Sequence, residues 1–286
     1  MKCRFIDRYR SAFGVERMCR VLGVSRSGYY GWKKRPESRR TKENERLLML
    51  IRESYRKSNG NYGSPRITRD LRGNGVRCGE NRIAGLMRTH GIVARTKRKF
   101  KATTNSKHNL PVAENLLNQN FTAGGPNKVW CSDITYIPTL EGWLYLVVIL
   151  DVFSRKVVGW GMSKSLKADF VIKAFYQAIG RMPSAGCIFH SDRGVQFACK
   201  DFQKVLNQYG FLQSMSRKGN CYDNALVESF FHTLKTEHMY FYRYTTRAEA
   251  RQSIFEYIEM FYNRERRHSA IGYRSPVCFE QEALAA

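Results

Sequence analysis

The chain has 286 residues, 43% of them hydrophobic, enough for one large domain or two modest ones with a filled core. Its 49 Lys and Arg against 24 Asp and Glu give a formal charge of +25, an excess that no small neutral substrate calls for and that points to a polyanionic partner. The eight cysteines, Cys3, Cys19, Cys78, Cys131, Cys187, Cys199, Cys221 and Cys278, contain no CxxC pair and no framework spacing, so reduced thiols and a cytoplasmic location are expected. The longest apolar run, Trp143 to Leu150, stops at Asp151, well short of the ~20 residues that span a bilayer. Met1 to Phe5 lead into charged residues rather than an apolar leader, so neither membrane insertion nor secretion is expected.

The charge is unevenly spread. Residues 1–110 hold 29 basic and 8 acidic side chains, a balance of +21, whereas the other 176 hold 20 and 16, only +4. A phosphate-gripping front and a nearly neutral working rear follow. Residues 13–34 read as a short helix with Val15, Met18, Cys19 and Leu22 on one face, a turn at Gly23-Val24, and a second helix started by Ser25 as N-cap. That is helix-turn-helix spacing, with Arg26, Lys33, Lys34 and Arg35 available to phosphate. A charged connector leads to helices predicted near Asn44–Lys57, Pro65–Arg72 and Glu80–His90, and then to a segment, 93–101, with five cations in nine residues, Lys97, Arg98 and Lys99 among them. Arg82 and Arg88 join Arg26 as candidate DNA contacts, mostly to phosphates. The plain alternative for each piece is a helical bundle with a solvated basic face. Residues 101–128 are polar and turn-rich, with one short helix expected around Ala113–Asn118.

From Val129 the pattern changes to β-type runs at Val129–Ile137, Trp143–Leu150 and Lys156–Met162, joined by turns at Thr139–Gly142 and Phe153–Arg155: a three-stranded antiparallel meander. Helix is predicted at Ala168–Arg181, strand at Cys187–His190, helix at Lys200–Tyr209, strand at Phe211–Ser214, and helices at Asn224–Tyr240 and Arg247–Asn263. The result is an α/β fold, a mixed five-stranded sheet flanked by helices, behind an all-α front. The expected boundaries are 1–40 for a first helix-turn-helix, 41–105 for a second, basic one, 106–127 for a linker and 128–286 for the rear domain with its helical tail.

Three acids stand out by position. Asp133 lies mid-strand, where a charge is costly without a compensating partner or metal. Asp192 follows a strand's carboxyl end, where open sheets place ligands, and Glu228 lies on a helix whose Leu226, Val227, Phe230, Phe231 and Leu234 pack the sheet. Singly, each reads more readily as an ion-pair partner, a turn starter or a surface charge than as a functional acid, and Asp151 reads as structural. Brought together, three carboxylates repel one another unless cations lie between them. An all-oxygen donor set points to Mg²⁺ or Mn²⁺, and two such ions suit in-line phosphoryl displacement.

Asp192 and Glu228 are separated by 35 residues and Asp133 and Asp192 by 58. The first is the spacing of the D,D(35)E transposases and retroviral integrases. The motifs W-x-x-D-I-T-Y, G-W-L-Y-L-x-V-x-x-D-x-x-S-R, H-S-D-R-G-x-Q-F, G-N-C-Y-D-N-A-x-x-E-S-F-F and Y-N-x-x-R-x-H-S-x-x-G-Y-x-S-P, in this order, resemble the OrfB products of bacterial insertion sequences of the IS-three type over essentially the whole chain. The resemblance implies an RNase H-like integrase catalytic core behind helix-turn-helix elements, with Asp133, Asp192 and Glu228 as catalytic metal ligands. It implies metal-dependent DNA nicking and 3′-hydroxyl strand transfer at the ends of an insertion sequence, in a bacterial cytoplasm on nucleoid DNA. It places at Lys235 a basic residue seven after the Glu, on the same helical face and able to reach terminal DNA phosphates. His190, Arg193, Gly194, Gln196 and Asn224 share these motif blocks, as pocket or DNA contacts or as loop and capping residues.

The expected partners are the terminal inverted repeats and target DNA, a second copy of the chain, and an upstream OrfA product, separate or fused. His90, His108, Cys78 and Cys131 lack the spacing of the integrases' zinc domain, so no zinc is expected, and no sustained heptad pattern supplies a zipper. Two other readings compete: a DNA-binding regulator with an inactive triad, and an RNase H-like nuclease or resolvase using water alone.

Overall fold

The structure, a computed structural model, describes residues 1–36, 38–95, 111–180, 186–217 and 221–285. The front opens with α1 (Lys2–Tyr9), α2 (Val15–Leu22) and α3 (Arg26–Lys34), which close on a small core of Ile6, Met18, Cys19 and Tyr29. Gly23, left-handed at φ 61°, ends α2, and the Ser25 hydroxyl accepts from Gly28 N at 3.0 Å to start α3, as the sequence predicts. Helix α1 has no counterpart in the sequence reading, because it is short, charged and buries only Ile6.

Next come α4 (Arg39–Lys57), α5 (Ser64–Gly73) and α6 (Glu80–Thr89). Helix α4 starts earlier than its apolar periodicity, because the Ser38 hydroxyl caps Thr41 N. Residues 111–120 hold no helix, contrary to the short helix expected at Ala113–Asn118. They run beside the sheet edge instead. Met215 N donates to Glu114 O, Leu116 N donates to the Ser214 hydroxyl, and Asn118 and Gln119 take φ values of 46° and 63°. An edge strand with unpaired backbone groups outcompetes local helix propensity here.

The rear domain is a sheet of β1 (Val129–Thr139), β2 (Gly142–Asp151), β3 (Val157–Ser163), β4 (Ile188–Ser191) and β5 (Leu212–Met215), in the order β3-β2-β1-β4-β5. The first three form the antiparallel meander, while β4 pairs parallel with β1 and β5 parallel with β4. Helices α7 (Asp169–Ile179), α8 (Val195–Ala198) and α9 (Lys200–Gln208) cover one face; α10 (Ala225–Glu237) and α11 (Arg247–Phe255) cover the other. Strict alternation makes this possible. Along β2, Leu144, Leu146, Val148 and Leu150 join the α10 core, and Val147 and Ile149 join the α7 core. Gly159 lets α7 lie directly on β3, since a Cβ there would sit 2.3 Å from Ala174 O.

The single helix predicted over Arg247–Asn263 is α-helical only to Phe255 and continues as a π-helical turn, Glu256–Tyr262. That turn buries Tyr257, Ile258, Phe261 and Tyr262 and aims Asn263 at β3, where its amide bonds both Val157 N and Val157 O. The chain ends with α12 (Pro276–Ala285), unforeseen in the sequence. The core of the second helical unit is continuous with the rear core: Leu47, Ile51, Ile67, Leu71, Ile83 and Met87 share one cluster with Leu226, Phe230 and Tyr262. Among the described residues no helix is long and apolar enough to cross a membrane.

Candidate active site

Asp133 is the fifth residue of β1, paired with Val148 of β2 and one residue beyond the last β1–β4 pair. The parallel register sets Ser132 beside Ser191, so the next residues, Asp133 and Asp192, leave the pair side by side. One Asp192 oxygen accepts from Gly194 N at 2.9 Å, which shapes the turn into α8. Glu228 lies in the first turn of α10, whose Leu226, Val227, Phe230, Phe231 and Leu234 are buried against the sheet. The amide of buried Asn224, just before α10, donates to Ser132 O at 3.4 Å and ties the start of that helix to β1.

The three acids act on one another. Burial, then the charges of Asp192 and Glu228, push the Asp133 carboxyl well above the ordinary range, against a hydrogen bond from Ile134 N and the charge of Lys235. Partial burial and Asp192 raise Glu228 in the same way. Lys235, seven residues along the same helix, is half-buried; burial lowers its ammonium while Asp133 holds it up. Three carboxylates and one ammonium thus share a field with an excess of negative charge. Among the described residues no three His, Cys, Asp or Glu side chains are already gathered in metal-ligand geometry, so the acids share a neighbourhood rather than a coordination sphere. Oxygen donors with uncompensated charge nonetheless suit hard divalent cations.

The other expected site residues divide. Arg193 donates through Nε to Ser216 O at 2.7 Å, Gln196 to Leu166 O at 3.0 Å, and buried His190 bridges the Ser214 and Ser216 hydroxyls. Burial lowers His190 to about 4, so it is neutral at pH 7. These motif residues brace the strand ends. In the front, Arg26 and Lys33 are exposed beside Glu16 and Asp7, Lys34 is exposed at the end of α3, and Arg88 is exposed in the last turn of α6. Arg82 instead donates to Asn44 and Glu43, both at 2.9 Å, and so joins α6 to α4. Lys97, Arg98 and Lys99 lie outside the described residues. Asp151 is fully buried and accepts from Asn127 N, Ser154 N and the Ser154 hydroxyl, the structural role expected of it.

Sequence reasoning passed over Asp223, although it lies inside a quoted motif. Its buried carboxylate accepts from Arg217 N, Nε and Nη2, from Asn115 and from Gln119, all between 2.7 and 3.1 Å. The Arg217 hydrogen bonds hold it well below the usual carboxylate range, against burial. This fourth acid joins the segment before β1 to the turn that launches the Glu228 helix.

The mixed five-stranded sheet flanked by helices, behind all-α units, is the fold expected of an integrase-type core, and sequence comparison agrees. Two profiles described as Integrase core domain match residues 123–221 and 209–276, and one described as HTH-like domain matches residues 42–100. The "Insertion element IS600 uncharacterized 31 kDa protein" of Shigella sonnei is 47% identical over 266 residues, 93% of this chain and 98% of its own. The "Transposase InsF for insertion sequence IS3A" of Escherichia coli strain K12 is 42% identical over 288 residues, 100% of both chains. Among solved structures, the simian T-cell lymphotropic virus intasome in complex with PP2A regulatory subunit B56 gamma is similar with TM-score 0.47 and 17% identity, over 82% of this chain and 74% of that one. The chain belongs to the IS3 family of insertion-sequence transposases, DNA transposases of the DDE polynucleotidyl-transferase type.

Proposed function

We propose that Asp133, Asp192 and Glu228 together hold two divalent cations, Mg²⁺ or Mn²⁺, and that the chain uses them to nick DNA at an insertion-sequence end and join the exposed 3′-hydroxyl to another strand. The observation that carries this reading is the placement of the three acids by paired β1 and β4 and by the first turn of α10. When bound, the ions would activate the attacking oxygen and stabilise the departing one. In the first step water attacks a phosphodiester, leaving a 3′-hydroxyl and a 5′-phosphate. In the second, that hydroxyl attacks a new phosphodiester, forms the joint and releases the target strand's own 3′-hydroxyl. No covalent enzyme intermediate is needed. Rigid β1 fixes Asp133, the Gly194 amide orients Asp192, and Asn224 anchors the helix that presents Glu228.

Lys235 would meet terminal phosphates from the same face of α10 as Glu228. Arg26, Lys33, Lys34 and Arg88 would hold DNA through phosphates, with Lys97, Arg98 and Lys99 beyond them in sequence. Arg82 and Arg193 would serve mainly as braces. Holding two element ends at once calls for at least two copies on DNA, and an upstream OrfA product would complete end recognition; the cytoplasm is the location that fits.

The test combines a labelled duplex ending in a 3′-hydroxyl, a supercoiled plasmid, Mg²⁺ or Mn²⁺, and wild type beside Glu228→Gln. Joined products from wild type alone are expected. Cleavage without joining would favour the nuclease reading, and DNA binding with neither product, even with the OrfA product added, would favour the regulator.

A further inference from the structure

Helix α10 begins at the active site and ends, at Glu237, in a joint with the second helical unit. Arg266 grips the Glu237 carboxylate through Nε and Nη2, both at 2.7 Å, and Arg66 of α5 reaches the same carboxylate through Nη1 at 3.1 Å. A second tie lies beside it. Arg267 donates through Nε and Nη2 to Asp70 of α5 at 3.2 and 3.0 Å, and its backbone N donates to the Tyr62 hydroxyl, which in turn donates to Glu265 O. Asp70 also accepts from the Ser54 hydroxyl of α4 at 2.7 Å, so α4 and α5 are held together. Beneath these bonds Ile67 and Leu71 share one apolar cluster with Phe230 and Tyr262. The R-x-H stretch of the tail motif, which the chemistry leaves unused, is therefore where the α4–α6 unit meets the helix bearing Glu228 and Lys235.

This joint bears on where DNA is cut. Phosphate contacts hold a duplex with little preference for one phosphate over the next, whereas successive phosphates of one strand lie only ~3.4 Å apart along the helix axis. A unit that moved by that distance relative to α10 would offer the carboxylates the neighbouring phosphodiester. We propose that the Arg66–Glu237–Arg266 and Arg267–Asp70 clasp fixes the offset between the DNA held by α4–α6 and the phosphate presented to Asp133, Asp192 and Glu228, so that Arg66 and Arg267 are positioning residues for the site of the nick. The inference rests on the proposed function, in which Arg88 of α6 holds the duplex through its phosphates and the three acids cut it.

The test is a nicking reaction on an end-labelled duplex carrying the terminal repeat of the element that encodes the chain, with Mn²⁺, the cut phosphates being read at single-nucleotide resolution. Wild type should cut at one phosphate. In Arg66→Ala/Arg267→Ala, Arg266 still pairs with Glu237, so the buried carboxylate keeps a partner and the fold is retained. The fraction of cuts at neighbouring phosphates should rise several-fold while affinity for the duplex falls less than twofold. Arg66→Lys/Arg267→Lys, which restores the charges, should narrow the cuts again. Cuts as sharp as wild type in both variants would overturn the clasp's role and leave the proposed function standing; a wild-type protein that binds the duplex and never nicks it, even with the OrfA product added, would overturn both. Should the double alanine variant fail to fold, Arg66→Ala alone takes its place, judged by the same spread of cuts.

Discussion

Replacing Glu237 by Gln keeps the side chain's shape and removes one charge from a nearly closed ion cluster. The Arg266 side chain is 3% exposed and that of Glu237 13%. Arg266 already has one buried nitrogen, Nη1, without a partner. Neutralising the carboxylate leaves that guanidinium without its counter-ion in a site too enclosed for water to replace it. Breaking a buried pair in this way costs about 3–5 kcal/mol. For a chain of this size each kcal/mol lowers Tm by about 2 °C, so a fall of ~6–10 °C is expected. Thermal unfolding at pH 7, followed calorimetrically, measures it. Acid gives a second check. Burial works to raise the Glu237 carboxyl, but Arg266 and Arg66 hold it below the ordinary value of 4.5. A depressed carboxylate stabilises fully above its unfolded pKa and loses that contribution as pH falls through the folded value. The gap between wild type and Glu237→Gln is therefore constant near neutrality and shrinks below about pH 4.5. A fall in Tm under ~2 °C at pH 7, or a gap that widens in acid, would refute the reasoning.

Three further expectations follow from other parts of the molecule. Asp223→Asn turns one acceptor oxygen into an NH2 donor, so it weakens charge-assisted bonds to Arg217 and leaves either Asn115 or Gln119 without its acceptor; strand joining should fall further than DNA affinity, with ~1.5–3 kcal/mol of stability lost, and equal falls in both would count against a bracing role. Gly159→Ala would push its new Cβ to 2.3 Å from Ala174 O and 2.8 Å from Ala178 Cβ, so urea unfolding should show a loss of ~1–3 kcal/mol, and an unchanged midpoint would contradict the packing of α7 on β3. Arg88→Ala should reduce the slope of log affinity against log salt by about 0.9, whereas Arg82→Ala should leave that slope alone and lower Tm; DNA titrations over a salt series separate the two.

The meander was legible because β1 to β3 alternate with a period of two between polar turns. The three acids could be placed because each follows from a local pattern, a charge inside a strand, a strand end and a helix face. The Ser25 cap and the Gly23 turn were equally local. What escaped was long-range. Residues Ala113–Asn118 read as a short helix in a turn-rich segment, and only the edge of β5, about a hundred residues away, claims their backbone. Asp223 looks like an ordinary turn acid until Asn115, 108 residues upstream, arrives beside it. Glu237 and Arg66 are 171 residues apart, and nothing near either predicts the other. The charge-based division at residue 110 likewise gave no sign that Ile67 and Leu71 pack in the same cluster as Phe230, since net charge says nothing about the buried side of a helix.

The central claim, that the three carboxylates work by holding divalent cations, is tested most directly at Asp192. Strand joining by Asp192→Cys is to be measured in Mg²⁺ and in Mn²⁺ beside wild type. A thiolate is a poor ligand for hard Mg²⁺ and a better one for Mn²⁺. The account predicts that the variant loses joining in Mg²⁺, on the order of 10²-fold or more, and recovers a substantial part of it in Mn²⁺, with DNA affinity unchanged. Joining at the wild-type rate in Mg²⁺ would contradict it.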